Sequence, residues 1–482
     1  MTALDPNSIV TVQVSTILAP FPSGFQQTGA IVSFGGTNQP TDSVHLLTQY
    51  ADLELIMSEP MSIASVAWAT GVATFTTTNP LPGSVGTLGN VIKAQLSGFT
   101  PDGYNGTFNC TVTGADEFTV PITADPGTAT VMGEILLYGA VELNAQVATF
   151  FRQGNAMTVN VLELGFGSQF TDQIAKLDNW LANNTFSFYG YLLPEEWGYA
   201  ANIPLVLQTF EQFLNPEAMT YFWLTLTDPA TVGMIPLDCK SVIQLLEAPT
   251  VPIDRANSIP GTFAEFTLAG MFYQAMQYRA TAVTRIAPMC FKYVYGVTPY
   301  PLQNNGPLLI SMKNNFVNYI QTGAEGGINF TNVYQGVTAD GFDYFNWWWT
   351  IDWVQLNINQ SLSNAVINGA NNPLAPLYYN QYGITYLETI LAGVMTSGVQ
   401  FGMVNGPVIQ TGYDSATLSQ QIQLGTFAAS CNVNAVPFLA YSQQNPADYG
   451  VGEYDGLSTL FIPSRGFVHI LVVVTATNIV TL

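Results

Sequence analysis

The chain has 482 residues, 48% hydrophobic and only 9% charged, with ten Lys and Arg against a net charge of −22. No basic cluster exists, which excludes a nucleic-acid partner that grips phosphates, and no apolar run reaches the ~20 residues of a spanning helix, so no membrane insertion is expected. Low charge combined with 12% aromatic residues suits extended surface buried against other protein.

The first stretch alternates. Val10, Val12 and Val14 face one way and Thr11, Gln13 and Ser15 the other, which predicts a strand arm within residues 1–20. Met1 to Pro6 lacks the basic and apolar regions of a signal peptide, so synthesis and folding in a cytoplasm are expected. Thr28 to Gly36 reads as a strand leaving through a glycine turn. No Lys-Ser or Lys-Thr follows the turn, so it is not a phosphate loop. Thr48 to Ser58 has helical spacing.

From Glu59-Pro60 to about Glu134 the chain breaks into short β segments: Val72–Thr77, Val91–Leu96, Thr107–Val112, Glu117–Ile122 and Ala129–Ile135. This predicts a small all-β domain, a barrel or sandwich, at 60–134. It would be inserted into a larger α/β core made of 21–59 and 135–465.

Alternating helices and strands then resume. Helices are expected at Val141–Phe151, Gln169–Ala182 and Leu205–Leu214, with strands at Met157–Leu164, Thr185–Leu192 and Thr220–Leu226. Cys239–Glu247 and Gly261–Arg279 read as helices. A second subdomain is expected over about 290–465, with a strand at Phe291–Val297, a helix at Leu308–Tyr319 and a strand at Asn329–Gln335. A long helix at Phe342–Val366 and another from about Tyr382 follow, then β-like segments around Gly406–Asp414 and Thr426–Ala440. The fold class is therefore multi-domain α/β (α+β): mixed sheets with packed helices, the inserted β domain, and strand arms at both ends.

Trp347, Trp348 and Trp349 cannot all face one core at 100° per residue, so at least one points elsewhere. All three are candidate interface aromatics; cover within the chain is the alternative. The last 17 residues, 466–482, are strongly β-prone, with Val468, Ile470, Val472 and Val474 on one face and apolar residues on the other. Such ends either complete their own sheet or add strands to neighbouring copies.

Catalytic constellations fail. Only His45 and His469 are present, and neither neighbours a nucleophile motif. Glu195-Glu196 beside Trp197 lacks the paired geometry of a glycosidase and reads as a surface loop. Cys110, Cys239, Cys290 and Cys431 are widely separated and expected as buried free thiols. No catalytic residue, cofactor or metal site is assigned.

One ordered set of motifs has a resemblance. Lys292-Tyr-Val-Tyr-Gly-Val-Thr-Pro, Met312-Lys-Asn-Asn with Tyr319, Asn329-Phe-Thr-Asn-Val-Tyr-Gln-Gly-Val-Thr-Ala-Asp-Gly and Ile351-Asp-Trp-Val follow one another. In order and spacing the set resembles the tail sheath proteins of contractile-tailed bacteriophages. The helix Ile384–Val404, with Gly398 and Gly402, continues the likeness; the tryptophan run and the β insert depart from it. The resemblance implies a structural, non-enzymatic virion subunit that polymerises with itself as stacked hexameric rings around a tail tube. Its partners would be the tail tube protein and the baseplate and tail terminator proteins. Contraction would drive the tube through the host envelope, with terminal strands exchanged between subunits and the β insert on the outer surface. The alternatives are another tail or baseplate structural protein, or a carbohydrate- or receptor-binding virion protein.

Overall fold

The computed structural model describes residues 24–466, apart from 168, 210–218, 249–264, 281–284, 302–304 and 326–327. Both arm segments, with Val10, Val12, Val14, Val468, Ile470, Val472 and Val474, lie outside the described residues.

Strand β1 (Gly29–Ser33) is buried along its whole length. It is followed by β2 (Ser43–Leu47), exposed on one face, and a short 3₁₀ turn at Tyr50–Leu55. The insert comes next: β3 (Met61–Ala69), β4 (Val72–Thr77), β5 (Val91–Ser97), β6 (Gly106–Val112), β7 (Glu117–Pro121) and β8 (Glu134–Leu137). These close into a barrel in the order β3-β4-β7-β6-β5-β8. Phe75, Phe99, Phe118, Ile92 and Ile135 fill it, so alternate residues of each strand face inward as closure requires. The last strand lies later than Ala129–Ile135. Ile135 pairs with both Met61 and Leu96 and shuts the barrel, and β8 runs past the expected limit at 134 directly into helix α1 (Tyr138–Arg152).

The core continues with β9 (Val159–Glu163), α2 (Phe170–Asn183), β10 (Gly190–Leu192), α3 (Ile203–Thr209), β11 (Tyr221–Leu226) and β12 (Val242–Leu246). The central sheet has the order β12-β11-β10-β1-β9-β2. Its first five strands are parallel, and β2 runs antiparallel beside β9. A parallel sheet needs cover on both faces, and side chains alternate accordingly. Ile31, Val161, Trp223 and Ile243 face Phe150 of α1, and with it α4 (Thr267–Met276), through Phe272. Ala30, Val32, Leu162 and Phe222 face Leu177 of α2 and Val206 of α3. Gly29 and Gly190, paired across β1 and β10, let Phe272 lie against the backbone; a Cβ at either would sit 2.7–2.9 Å from its ring.

Cys239–Glu247 is therefore not a helix. Val242 and Ile243 are β-branched and their segment is buried on both faces beside β11, an environment that a helix-period reading cannot reveal.

Helix α5 (Gly306–Asn314) precedes a hairpin of β13 (Tyr319–Glu325) and β14 (Ile328–Tyr334). Tyr319, expected to end a helix, begins β13. Phe291–Val297 is not a regular strand: it touches β14 through the Tyr293–Asn332 bridge, interrupted by positive φ at Phe291 and Gly296. The long helices α6 (Phe345–Asn371) and α7 (Gln381–Gln400) pack on each other. They are followed by β15 (Val408–Thr411), α8 (Ser415–Gln423), β16 (Cys431–Ala435), α9 (Phe438–Gln444), α10 (Pro446–Val451) and β17 (Leu457–Leu460). The strands among these form a mixed sheet, β15-β16-β17. The architecture is the multi-domain α+β class expected, with mixed sheets and a small all-β insert. All four cysteines are buried and free.

Candidate functional site: the tryptophan turn, its clamp and the arm root

The three tryptophans open α6 and diverge as helical geometry requires. Trp349 turns inward: it is 1% exposed, stands edge-on to Tyr278 at 5.9 Å, and its carbonyl accepts from Gln26 Nε2 at 2.9 Å. Trp348 is half-buried. Its Nε1 donates to Asp340 Oδ2 at 2.7 Å, and Lys240 Nζ lies 4.6 Å from its ring. Trp347, also half-buried, lies under the guanidinium of Arg465 at 4.3 Å. Trp349 thus belongs to the chain's own core, and only Trp347 and Trp348 keep ring surface toward the outside.

One turn further, Asp352 is 1% exposed. Its Oδ2 accepts from Tyr189 Oη at 2.9 Å and Tyr221 Oη at 2.8 Å, and Lys240 Nζ approaches Oδ1 at 3.4 Å. Tyr189 precedes β10, Tyr221 begins β11 and Lys240 precedes β12. A single carboxylate therefore fastens α6 to three adjacent strand starts. Burial first, then the charge of Asp352, pushes both phenols well above their ordinary range, so the tyrosines remain donors. In the sequence Asp352 stands out only within the Ile351-Asp-Trp-Val motif, with no role of its own. The overlooked signal was an acidic residue inside an apolar helical face, four positions after Trp348.

The chain also returns to this turn at its far end. Ser464 N donates to Met403 O at 2.6 Å, Asn346 Nδ2 to Ser464 O at 3.2 Å, and Arg465 pairs with Asp343. The root of segment 466–482 is thus fixed to the start of α6. The hairpin β13–β14 carries an aromatic surface: Tyr319 stacks on Tyr334 at 5.4 Å, and half-exposed Tyr293 and Phe330 meet at 4.7 Å. A two-stranded ribbon is marginal alone, and this one is braced at its base by the Tyr300–Ile320 and Tyr293–Asn332 bridges.

The opposite, C-terminal edge of the sheet holds buried carboxylates. The glycine turn after β1 is filled from within. Glu163 Oε1 accepts from Gly35 N and Gly165 N, both at 2.7 Å, and its Oε2 from Ser33 Oγ at 2.8 Å and Thr37 N at 3.1 Å. A turn of backbone amides that could have held an external anion is occupied by the chain's own. Glu195-Glu196 is not a surface loop. It forms a 3₁₀ turn after β10, with Glu195 6% exposed, because Trp197 is drawn into the core against Phe34 and Phe170. Glu195 N donates to Glu142 Oε1 at 2.6 Å. His45, on β2, is 3.1 Å from Ser43 Oγ; His469 lies outside the described residues. Among the described residues no group of three or more His, Cys, Asp or Glu is arranged to hold a metal, and no helix is long and apolar enough to cross a membrane.

No protein-family model and no curated protein matches the chain. Its fold is nevertheless similar to that of a solved contractile sheath. The structure is similar to the helical sheath of the anti-feeding prophage in its contracted state, with a TM-score of 0.50 and 10% identity over 97% of this chain and 99% of that one. A sheath tail protein from Listeria innocua matches at a TM-score of 0.38 and 10% identity, over 79% of this chain and 86% of that one.

Proposed function

We propose that this chain is the structural subunit of a contractile bacteriophage tail sheath. It polymerises as stacked hexameric rings around a tail tube and contracts to drive the tube through the host envelope, ejecting the genome. The observation that carries this reading is the similarity of fold to a contracted helical sheath, over 97% of this chain and 99% of that one. The chain works as a mechanical part and not as an enzyme, and its place is the virion, after synthesis in the host cytoplasm. Its partners are copies of itself, the tube protein, and the baseplate and terminator proteins that bound the polymer.

Strand exchange is part of the proposal. The residues 466–482 depart from a root held by Arg465, Trp347 and Asn346, and the braced ribbon β13–β14 offers a sheet on which a neighbour's strand can pair. Trp347 and Trp348 lie beside that root and serve the subunit contact, and the barrel projects on the outer surface. Electron microscopy of the purified full-length chain tests the reading. Tubes or stacked rings are expected; small discrete oligomers alone would refute polymerisation and favour a receptor-binding role.

A further inference from the structure

Helix α1, which leads from the barrel to β9, covers one face of the sheet, and α2, which leads from β9 to β10, covers the other. The direction of winding therefore reverses at β1. In open parallel sheets the crevice outside the strand ends at such a point is where ligands bind. Here it is a cavity of ≈ 240 Å³ lined by Ser33, Glu142, Gln173 and Glu196 from the core and by Lys93 and Asn109 from the barrel.

Its chemistry is one-sided. Glu142 is buried, with Oε1 engaged by Glu195 N. Tyr138 Oη donates to Glu195 Oε2 at 3.2 Å, and Gln173 Nε2 donates to Glu196. Gln173 is 7% exposed, yet its Oε1 has no hydrogen-bond partner. The cavity thus offers acidic side-chain oxygens and an open amide acceptor. An anion is excluded, and among the described residues no acidic group is arranged for a metal. Lys93 Nζ meets this wall: it lies 3.6 Å from the Tyr138 ring centroid, and its charge acts on both Glu142 and Glu196, against the burial that pushes their carboxyls up. A compact ammonium with three rotatable donors suits divergent acceptors of this kind better than a planar guanidinium.

We propose that the crevice is a primary-ammonium site whose resident ligand is the side chain of Lys93, so that the barrel is held to the central sheet as a tethered ligand. Lys93 is then a positioning residue for the whole insert. It sits on β5, apart from the barrel's covalent joins to the core, which are the entry into β3 and the run of β8 into α1.

The test is chemical rescue in the full-length chain, read by hydrogen exchange over residues 61–146. Lys93→Ala removes the equivalent of propylammonium. It should raise exchange at the barrel–α1 seam roughly threefold to thirtyfold, the range set by one ammonium–ring and carboxylate contact, while exchange in β11 and β12 stays unchanged. Tens of millimolar propylammonium should restore protection, and propanol should not. Lys93→Met keeps the stem without the charge, so it should loosen the seam and resist rescue. Unchanged exchange in Lys93→Ala, or equal protection by propanol, would overturn the proposal.

Discussion

The guanidinium of Arg465 lies 4.3 Å over the ring of Trp347 and pairs with Asp343. Two residues more than a hundred positions apart thus join the last described turn of the chain to the first turn of its longest helix. Asp343 is partly buried, and the nearby positive charge opposes the upward push of that burial on its carboxyl.

Arg465→Ala should leave folding nearly intact, because the arginine side chain is half exposed and such contacts contribute ~0.5–1 kcal/mol. Tube yield and length should fall, since the root of the proposed arm loses its fixed direction. Deleting Val468–Leu482 should abolish long tubes outright while circular dichroism still reports a folded core. Tubes that persist after the deletion would end the strand-exchange proposal.

Excising the insert should preserve assembly when the cut respects the barrel. Replacing Pro60–Gly133 with a Gly/Ser linker would leave β8 behind, exposing Ile135 and Leu137, which are 0% and 7% exposed in the intact chain. Replacing Pro60–Leu137 removes the barrel whole. The second version is expected to form tubes of normal length by electron microscopy, and loss of tubes would show the barrel to be a contact domain.

Asp352→Ala should be severely destabilising, by about 3–5 kcal/mol in denaturant unfolding. It strands Lys240 and two tyrosine hydroxyls that all point at one carboxylate. Asp352→Asn should cost less, because an amide still accepts from a tyrosine. A cost below about 1 kcal/mol for the alanine variant would mean that the clamp is dispensable.

Stability should decline as pH rises. Burial, ahead of neighbouring charge or opposing hydrogen bonds, lifts the carboxyls of Glu142 and Glu247 to about 8 from an ordinary 4.5. Between those values the folded chain holds protons that the unfolded chain has released. Their contribution is therefore fully present below the ordinary value, lost progressively up to about pH 8, and flat beyond. Asp52 and Asp414, held low by capping hydrogen bonds, act oppositely and only at more acid pH. Denaturant midpoints should fall from pH 5 to pH 8, and Glu142→Gln should flatten the slope; a midpoint that rises over this range would contradict the assignment.

Elements whose pattern is local were legible in the sequence. Phe170–Asn183 shows its helical stripe through Ile174, Leu177 and Leu181, and Val72–Thr77 its alternation. What failed depends on distant partners. Val242–Leu246 is a strand because β11 lies beside it, and Tyr319–Glu325 because β14 folds back on it. Helical geometry implied that the three tryptophans diverge, but not that Trp349 is the one turned inward, nor the cover of Trp347 and Trp348 by Arg465 and Lys240, since those cations come from other elements. Glu195 read as surface because two adjacent acids normally seek water; the pull of Trp197 into the core decides otherwise.

The passage from β8 into α1 at Leu137–Tyr138 has no intervening loop. The barrel is for that reason a crank and not a pendant. A continuous run of contacts leads from it along α1 to the sheet, from the strand starts to Asp352 of α6, and from the first turn of α6 to Arg465. If the barrel faces outward and the arm pairs with the next subunit, as proposed, a pull on the barrel reaches the root of that arm.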